Sequence, residues 1–153
     1  MLPVPIRRLI YRCAYRVLQV VWFVTRPNKV GVKCVLTDGN LVLLVRHTYG
    51  DRDWDLPGGS IKRHEQPGTA ARREMGEELG VRIDHWQALG EVEANKHHRR
   101  DVLHCFQAEL SSHPLTIDHG ELATARWFPR DALPRDLGDY VLPVLAQAEA
   151  HGS

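Results

Sequence analysis

Residues 59–81 constrain this chain more than any other stretch. They read Gly-Ser-Ile-Lys-Arg-His-Glu-Gln-Pro-Gly-Thr-Ala-Ala-Arg-Arg-Glu-Met-Gly-Glu-Glu-Leu-Gly-Val. The second half has the spacing of a helix. Glu74, Glu77 and Glu78 fall at i, i+3 and i+4, so their carboxylates share one face. Like charges that close repel, and no lysine is interspersed among them. A hard divalent cation is the simplest compensation, and oxygen ligands suit Mg²⁺ or Mn²⁺. Arg73 lies four residues before Glu77 and can pair with it. Ala71, Met75 and Leu79 form an apolar stripe opposite, suited to a core. Pro67 fits the first helical position, where its missing N–H costs nothing, and Gly80 fits the C′ position. Glu65 then lies just outside the helix start, near the positive end of the helix dipole. Two glycines precede the whole in Trp54-Asp55-Leu56-Pro57-Gly58-Gly59, where backbone can approach a ligand closely.

These residues resemble the Nudix box, Gly-x5-Glu-x7-Arg-Glu-U-x-Glu-Glu-x-Gly-U with U aliphatic. The match runs through Gly59, Glu65, Arg73, Glu74, Met75, Glu77, Glu78, Gly80 and Val81 with no fixed position missing. At roughly 5–7% per residue type, seven fixed positions coincide by chance on the order of 10⁻⁸ per starting point. The box covers 23 of 153 residues, and flanking features extend the likeness from about residue 30 onward.

The resemblance implies the Nudix fold, an α/β/α sandwich with a mixed β-sheet between helices. It also implies hydrolysis of a nucleoside diphosphate linked to another moiety, with Mg²⁺ or Mn²⁺ as cofactor. Glu74, Glu77 and Glu78 become the expected metal ligands, with the Gly59 carbonyl a further one. Glu65 becomes an outer residue behind them. Arg73 would orient a carboxylate.

A chain of 153 residues suffices for one buried domain. The net charge of +1 gives no electrostatic reason to expect a nucleic-acid partner. Cys13, Cys34 and Cys105 are odd in number and lack metal spacing, which reads as free thiols in a reducing, cytoplasmic compartment.

Residues 1–27 read as an amphipathic helical segment and 28–150 as the hydrolase domain. Ile6, Leu9, Ile10, Cys13, Val17, Val20, Val21 and Val24 lie on one helical side, with Arg8, Arg12, Arg16 and Gln19 on another. Arg16 interrupts the apolar run well short of the roughly 18 residues of a membrane span. No small-residue cleavage site follows, which argues against a signal peptide. Two readings stay open. The helix packs on the domain or on a dimer mate, or it lies on an anionic membrane surface.

Val30–Leu36 and Leu41–His47 flank Thr37-Asp38-Gly39-Asn40 as a hairpin. Arg46 closes the second strand. It points to the cleft and binds substrate, or it is a solvated strand residue. Trp86–Glu93 and Val102–Leu110 read as further strands around a basic loop, 95–101, suited to substrate phosphates. A short strand at 125–129 and a closing helix at 140–150 complete the chain.

The general base is expected outside the box, because carboxylates occupied by metal are poor proton acceptors. The resemblance makes Glu121 the candidate, after His119-Gly120 and six residues before Trp127, where some Nudix enzymes carry a loop glutamate. His97 and His98 are competitors, and an exposed loop carboxylate is the alternative reading of Glu121. The marks of ADP-ribose, dinucleoside-polyphosphate and NADH hydrolases are absent downstream of the box. By elimination the substrate is a nucleoside triphosphate or similar nucleotide. A nucleotide sensor without activity is the contrasting class, and it would be supported by lost box carboxylates; here all are present.

Overall fold

The computed structural model describes residues 1–25, 29–50, 52–96, 99–111 and 114–152. The chain begins with helix α1 (Val4–Thr25), followed by strands β1 (Lys29–Asp38) and β2 (Leu41–His47). A short strand β3 (Gly58–Ser60) leads to helix α2 (Pro67–Leu79). Strands β4 (Gln87–Lys96), β5 (Arg99–Glu109) and β6 (Leu122–Pro129) precede the closing helix α3 (Val141–Gly152).

The sheet runs β4-β5-β1-β2-β6, with β3 paired to β1 off this path. It is mixed, because β1 lies parallel to β5 while its other pairings are antiparallel. The Asp-Gly turn forms as the sequence indicates, with Gly39 at φ 57°. β1 and β2 then stay paired only near that turn, at Thr37↔Val42 and Asp38↔Leu41. Further along they splay apart, and the segment 54–60 wedges between them. Val45 and Asp55 exchange backbone hydrogen bonds, and the Cys34 N–H donates to the Pro57 carbonyl. This wedge carries Gly58 and Gly59 into the middle of the sheet, where a site can be built.

Alternation along the strands divides the core in two. One face, with Cys34, Leu36, Leu43 and Val45, packs on Ala71, Met75 and Leu79 of α2. The other, with Val35, Val42 and Leu44, packs on Val141, Val144 and Leu145 of α3. Full burial of Met75 and Leu79 stabilises the docking of α2 by about 1.5–3 kcal/mol each. α2 starts at Pro67 and stops at Gly80, which takes the left-handed conformation at φ 65°. The Gly80 and Val81 N–H groups cap the carbonyls of Gly76 and Met75.

α1 packs on the domain, but not through its apolar stripe. Arg7, Tyr11 and Tyr15, at i, i+4 and i+8, form the seated side. Arg7 pairs with Asp118 at 3.3 Å, and Tyr11 and Tyr15 lean on the Tyr49 ring. Arg8 and Arg12 donate to the carbonyls of His119 and Thr48. Ile6, Leu9, Ile10 and Val17 face outward. Sequence periodicity finds the amphipathic helix; the side that meets the domain is the aromatic and guanidinium one, since such groups can seat a helix on a polar cleft. Among the described residues, no helix is long and apolar enough to cross a membrane.

Candidate active site

The wedge and α2 meet over the splayed strands. Glu78 is fully buried there, and its Oε2 accepts from the Gly58 N–H at 3.3 Å. Among the described residues its Oε1 has no hydrogen-bond partner, the His47 Nε2 lying 4.0 Å away. Burial, then the charges of Glu121 and Glu74, push the Glu78 carboxyl well above its ordinary range. A buried, half-satisfied carboxylate is costly and needs a reason.

Glu74 lies one turn earlier, almost fully buried, with its carboxylate against Gly59. Burial raises its pKa, and the adjacent Arg73 partly offsets the rise. Any Cβ at position 59 would collide with this carboxylate. Gly59 is thus required for close approach. Gly59→Ala is expected to displace Glu74 and lower the Tm by roughly 3–10 °C, the cost of overpacking one buried group. A thermal melt checks this, and an unchanged Tm would mean the carboxylate moves aside freely.

Arg73 organises the box. Its guanidinium donates to both oxygens of Glu65 at 2.8 and 2.9 Å, to Glu74 at 3.0 Å and to Glu77 at 3.3 Å. It also donates to the Ser60 carbonyl at 2.9 Å, tying α2 to β3. These bonds, with the Lys62 N–H, hold the Glu65 carboxyl down at about 2. The three box glutamates therefore differ in setting. Glu74 and Glu78 are buried, whereas the Glu77 side chain is 54% exposed at the rim. Helical spacing alone puts them on one face; the sheet beneath α2 covers only part of it.

Glu121 stands opposite, at the start of β6. Thr48 fixes it by donating its N–H to the Glu121 carbonyl and its hydroxyl to the Gly120 carbonyl. The Asp118 N–H donates to the Glu78 carbonyl, so this loop is also tied to the last turn of α2. The Tyr49 hydroxyl donates to Glu121 Oε1 at 3.3 Å. Burial and the Glu74 charge raise the Glu121 carboxyl to about 6, against the lowering effect of Tyr49. One ligand atom each from His47, Glu78 and Glu121 lie within 4.8 Å of one another. The structure thus brings Glu121 to the box carboxylates across more than 40 residues of chain.

Arg46 is placed elsewhere. It sits over the Trp54 ring, 4.5 Å from its centroid, and pairs with Asp136. Strand alternation turns it to the α3 face and turns its neighbour His47 to the α2 face. His47, not Arg46, lines the cavity of about 300 Å³ at this site, along with Lys33, Tyr49, Asp55 and Tyr15. β2 is buried on both faces, so burial parity does not single out His47. It shares parity with Leu43 and Val45, which pack on the α2 side, and Arg46 with Val42 and Leu44, which pack on the α3 side. Tyr15 and Tyr49 give no comparable sequence signal. His97 and His98 lie outside the described residues.

Glu74 and Glu78 fit a hard divalent cation by three observations. The donors are all oxygen, Glu78 has a buried oxygen with no hydrogen-bond partner among the described residues, and Gly59 lets the Glu74 carboxylate lie against the backbone where a side chain would collide with it.

The architecture and site define an α/β/α protein with an acidic cleft between splayed strands. A family model described as NUDIX domain matches residues 27–147, and the chain belongs to the Nudix family. The resemblance read from Gly59–Val81 and the fold expected from it are borne out. An ADP-ribose pyrophosphatase of Mycobacterium tuberculosis is 39% identical over 59 residues, covering 37% of this chain and 28% of that protein. A diphosphoinositol polyphosphate phosphohydrolase 3-beta of Bos taurus is 46% identical over 56 residues, covering 36% of this chain and 34% of that protein. The chain thus matches only about a third of the length of these curated relatives. Among solved structures, a MutT NUDIX hydrolase from Burkholderia pseudomallei superposes with a TM-score of 0.74 at 24% identity, covering 79% of this chain and 98% of that one. At that identity the likeness is one of fold.

Proposed function

We propose that this protein is a Mg²⁺- or Mn²⁺-dependent pyrophosphohydrolase that cleaves a nucleoside diphosphate linked to another moiety. The carrying observation is the buried Glu78 carboxylate, half-satisfied, beside Glu74 and facing Glu121. Glu74, Glu77 and Glu78, with the Gly59 carbonyl, would hold the cation. When bound, it supplies neutralisation of the diphosphate and stabilisation of the leaving phosphate.

The chain's own residues supply the rest. Arg73 fixes the rotamers of Glu74 and Glu77 and anchors Glu65, so it positions ligands and does not touch substrate. Glu121 is the general base. A carboxyl near pH 6 is largely ionised at neutral pH and still basic enough to take a proton from water. Water oxygen bonds to phosphorus, the bridging P–O bond breaks, and the water proton passes to Glu121. Tyr49 holds the carboxylate through one oxygen and leaves the other for this task.

The relatives' names point to different substrates, ADP-ribose and diphosphoinositol polyphosphates, which share a diphosphate. That favours the diphosphate as the recognised element here, with a nucleoside triphosphate or related nucleotide as the substrate class. A panel of nucleoside triphosphates, nucleotide sugars and dinucleotides, followed by phosphate-product release, tests the reading. Turnover of at least one class with Mg²⁺, abolished by chelator, is expected. Turnover of none, or equal turnover in chelator, would refute it.

A further inference from the structure

Most of the exposed large hydrophobic side chains among the described residues lie on α1. Ile6, Leu9, Ile10, Val17, Val20 and Val21 are each 45–65% exposed and lie on one arc of roughly 120°. Monomeric soluble proteins rarely expose so contiguous an apolar stripe without a partner for it. Seating on the domain does not use this side, because Arg7, Tyr11 and Tyr15 already do that.

The charge around the stripe identifies the partner. α1 carries Arg7, Arg8, Arg12 and Arg16 and no acidic residue. The rest of the chain, with 16 lysines and arginines against 19 acidic residues, is therefore net −3, against +4 on this helix, in a protein of net +1. Arg16 borders the apolar arc. With Arg12 and Arg52 it lines a second cavity of about 310 Å³, and among the described residues no carboxylate lines it. We propose that the apolar face of α1, flanked by Arg12, Arg16 and Arg52, docks the protein on an anionic phospholipid surface.

The geometry suits that occupant. A helix of 22 residues that is apolar along one side and basic beside it lies in the plane of the interface, with aliphatic groups among acyl chains and guanidinium groups at the phosphates. A second copy suits it poorly. Two-fold pairing of this face with itself sets two wholly basic helices side by side with no carboxylate to offset them. Docking also has a consequence for the candidate active site. Tyr15, Tyr49 and Gly50 line both the arginine cavity and the acidic one, so the bound protein holds its cleft close to the lipid headgroups.

The test uses the full chain and does not depend on hydrolysis. Co-sedimentation is measured with vesicles of phosphatidylglycerol and phosphatidylcholine, and with phosphatidylcholine alone. Binding to the anionic vesicles is expected, weakened as salt rises from about 0.1 M to about 1 M. Val17→Asp combined with Val20→Asp, at two exposed positions, is expected to weaken it at least about tenfold with an unchanged Tm. Leu142→Asp, at an exposed apolar position on α3, leaves it intact. Failure of the full chain to bind anionic vesicles would overturn the proposal. So would equal binding to both vesicle types, or a dimer in sedimentation equilibrium that the Val17/Val20 variant abolishes.

Discussion

Glu78→Gln is expected to lower kcat about 10²–10³-fold while making the metal-free protein more stable. The two effects have one origin. Glu78 is fully buried with one oxygen unpartnered, and its carboxyl is held well above the ordinary range by burial and by Glu121 and Glu74. Glutamine has the same shape and can keep the bond from the Gly58 N–H, but it carries no charge. The loss of rate is that of removing one electrostatic stabiliser, about 3–4 kcal/mol. The gain in stability is about 1–3 kcal/mol, the cost of the unsatisfied group. Its pH dependence follows by linkage. A carboxyl raised in the folded state binds its proton more tightly there than in the unfolded chain, so native stability falls as pH rises from the unfolded value. The variant's advantage is therefore larger at pH 8 than near pH 4, where it vanishes. Chelator-treated melts at the two pH values, with single-turnover rates, check both signs. A variant that is active and no more stable would mean that Glu78 serves the fold alone.

Glu121→Gln is expected to lower kcat about 10²–10⁴-fold with little change in KM. The base must be ionised, so the wild-type kcat/KM should fall as pH drops below about 6, and the variant should lose that limb. The Tyr49 hydroxyl can still donate to the glutamine carbonyl, so the loop should hold its place. Wild-type rates in Glu121→Gln would transfer the role to His47, whose ring reaches to 4.0 Å from Glu78 Oε1.

The box was legible because its spacing is local. Pro67, Gly80 and the stripe of Ala71, Met75 and Leu79 specify a capped, half-buried helix within one stretch, and the structure has it. What lies across the sheet was less legible. Glu121 reached the expectation through family likeness, and its approach to Glu78 depends on how β2 and β6 pair. Arg46, read as pointing to the cleft or as a solvated strand residue, lies off the cleft beside Trp54 and Asp136, since one residue of shift exchanges the faces of a strand. The side on which α1 seats was not legible for a different reason. Hydrophobic periodicity locates an apolar face but does not say what covers it, and here Tyr49 and Asp118 offered the polar side a better partner.

The proposed function rests on the buried pair Glu74 and Glu78 holding a cation. The direct measurement is a calorimetric titration of Mn²⁺ into chelator-treated protein at pH 8, for the wild type and for Glu78→Gln. A saturable isotherm in the wild type that the variant lacks is the expected result. Identical isotherms, or none in either protein, would contradict it.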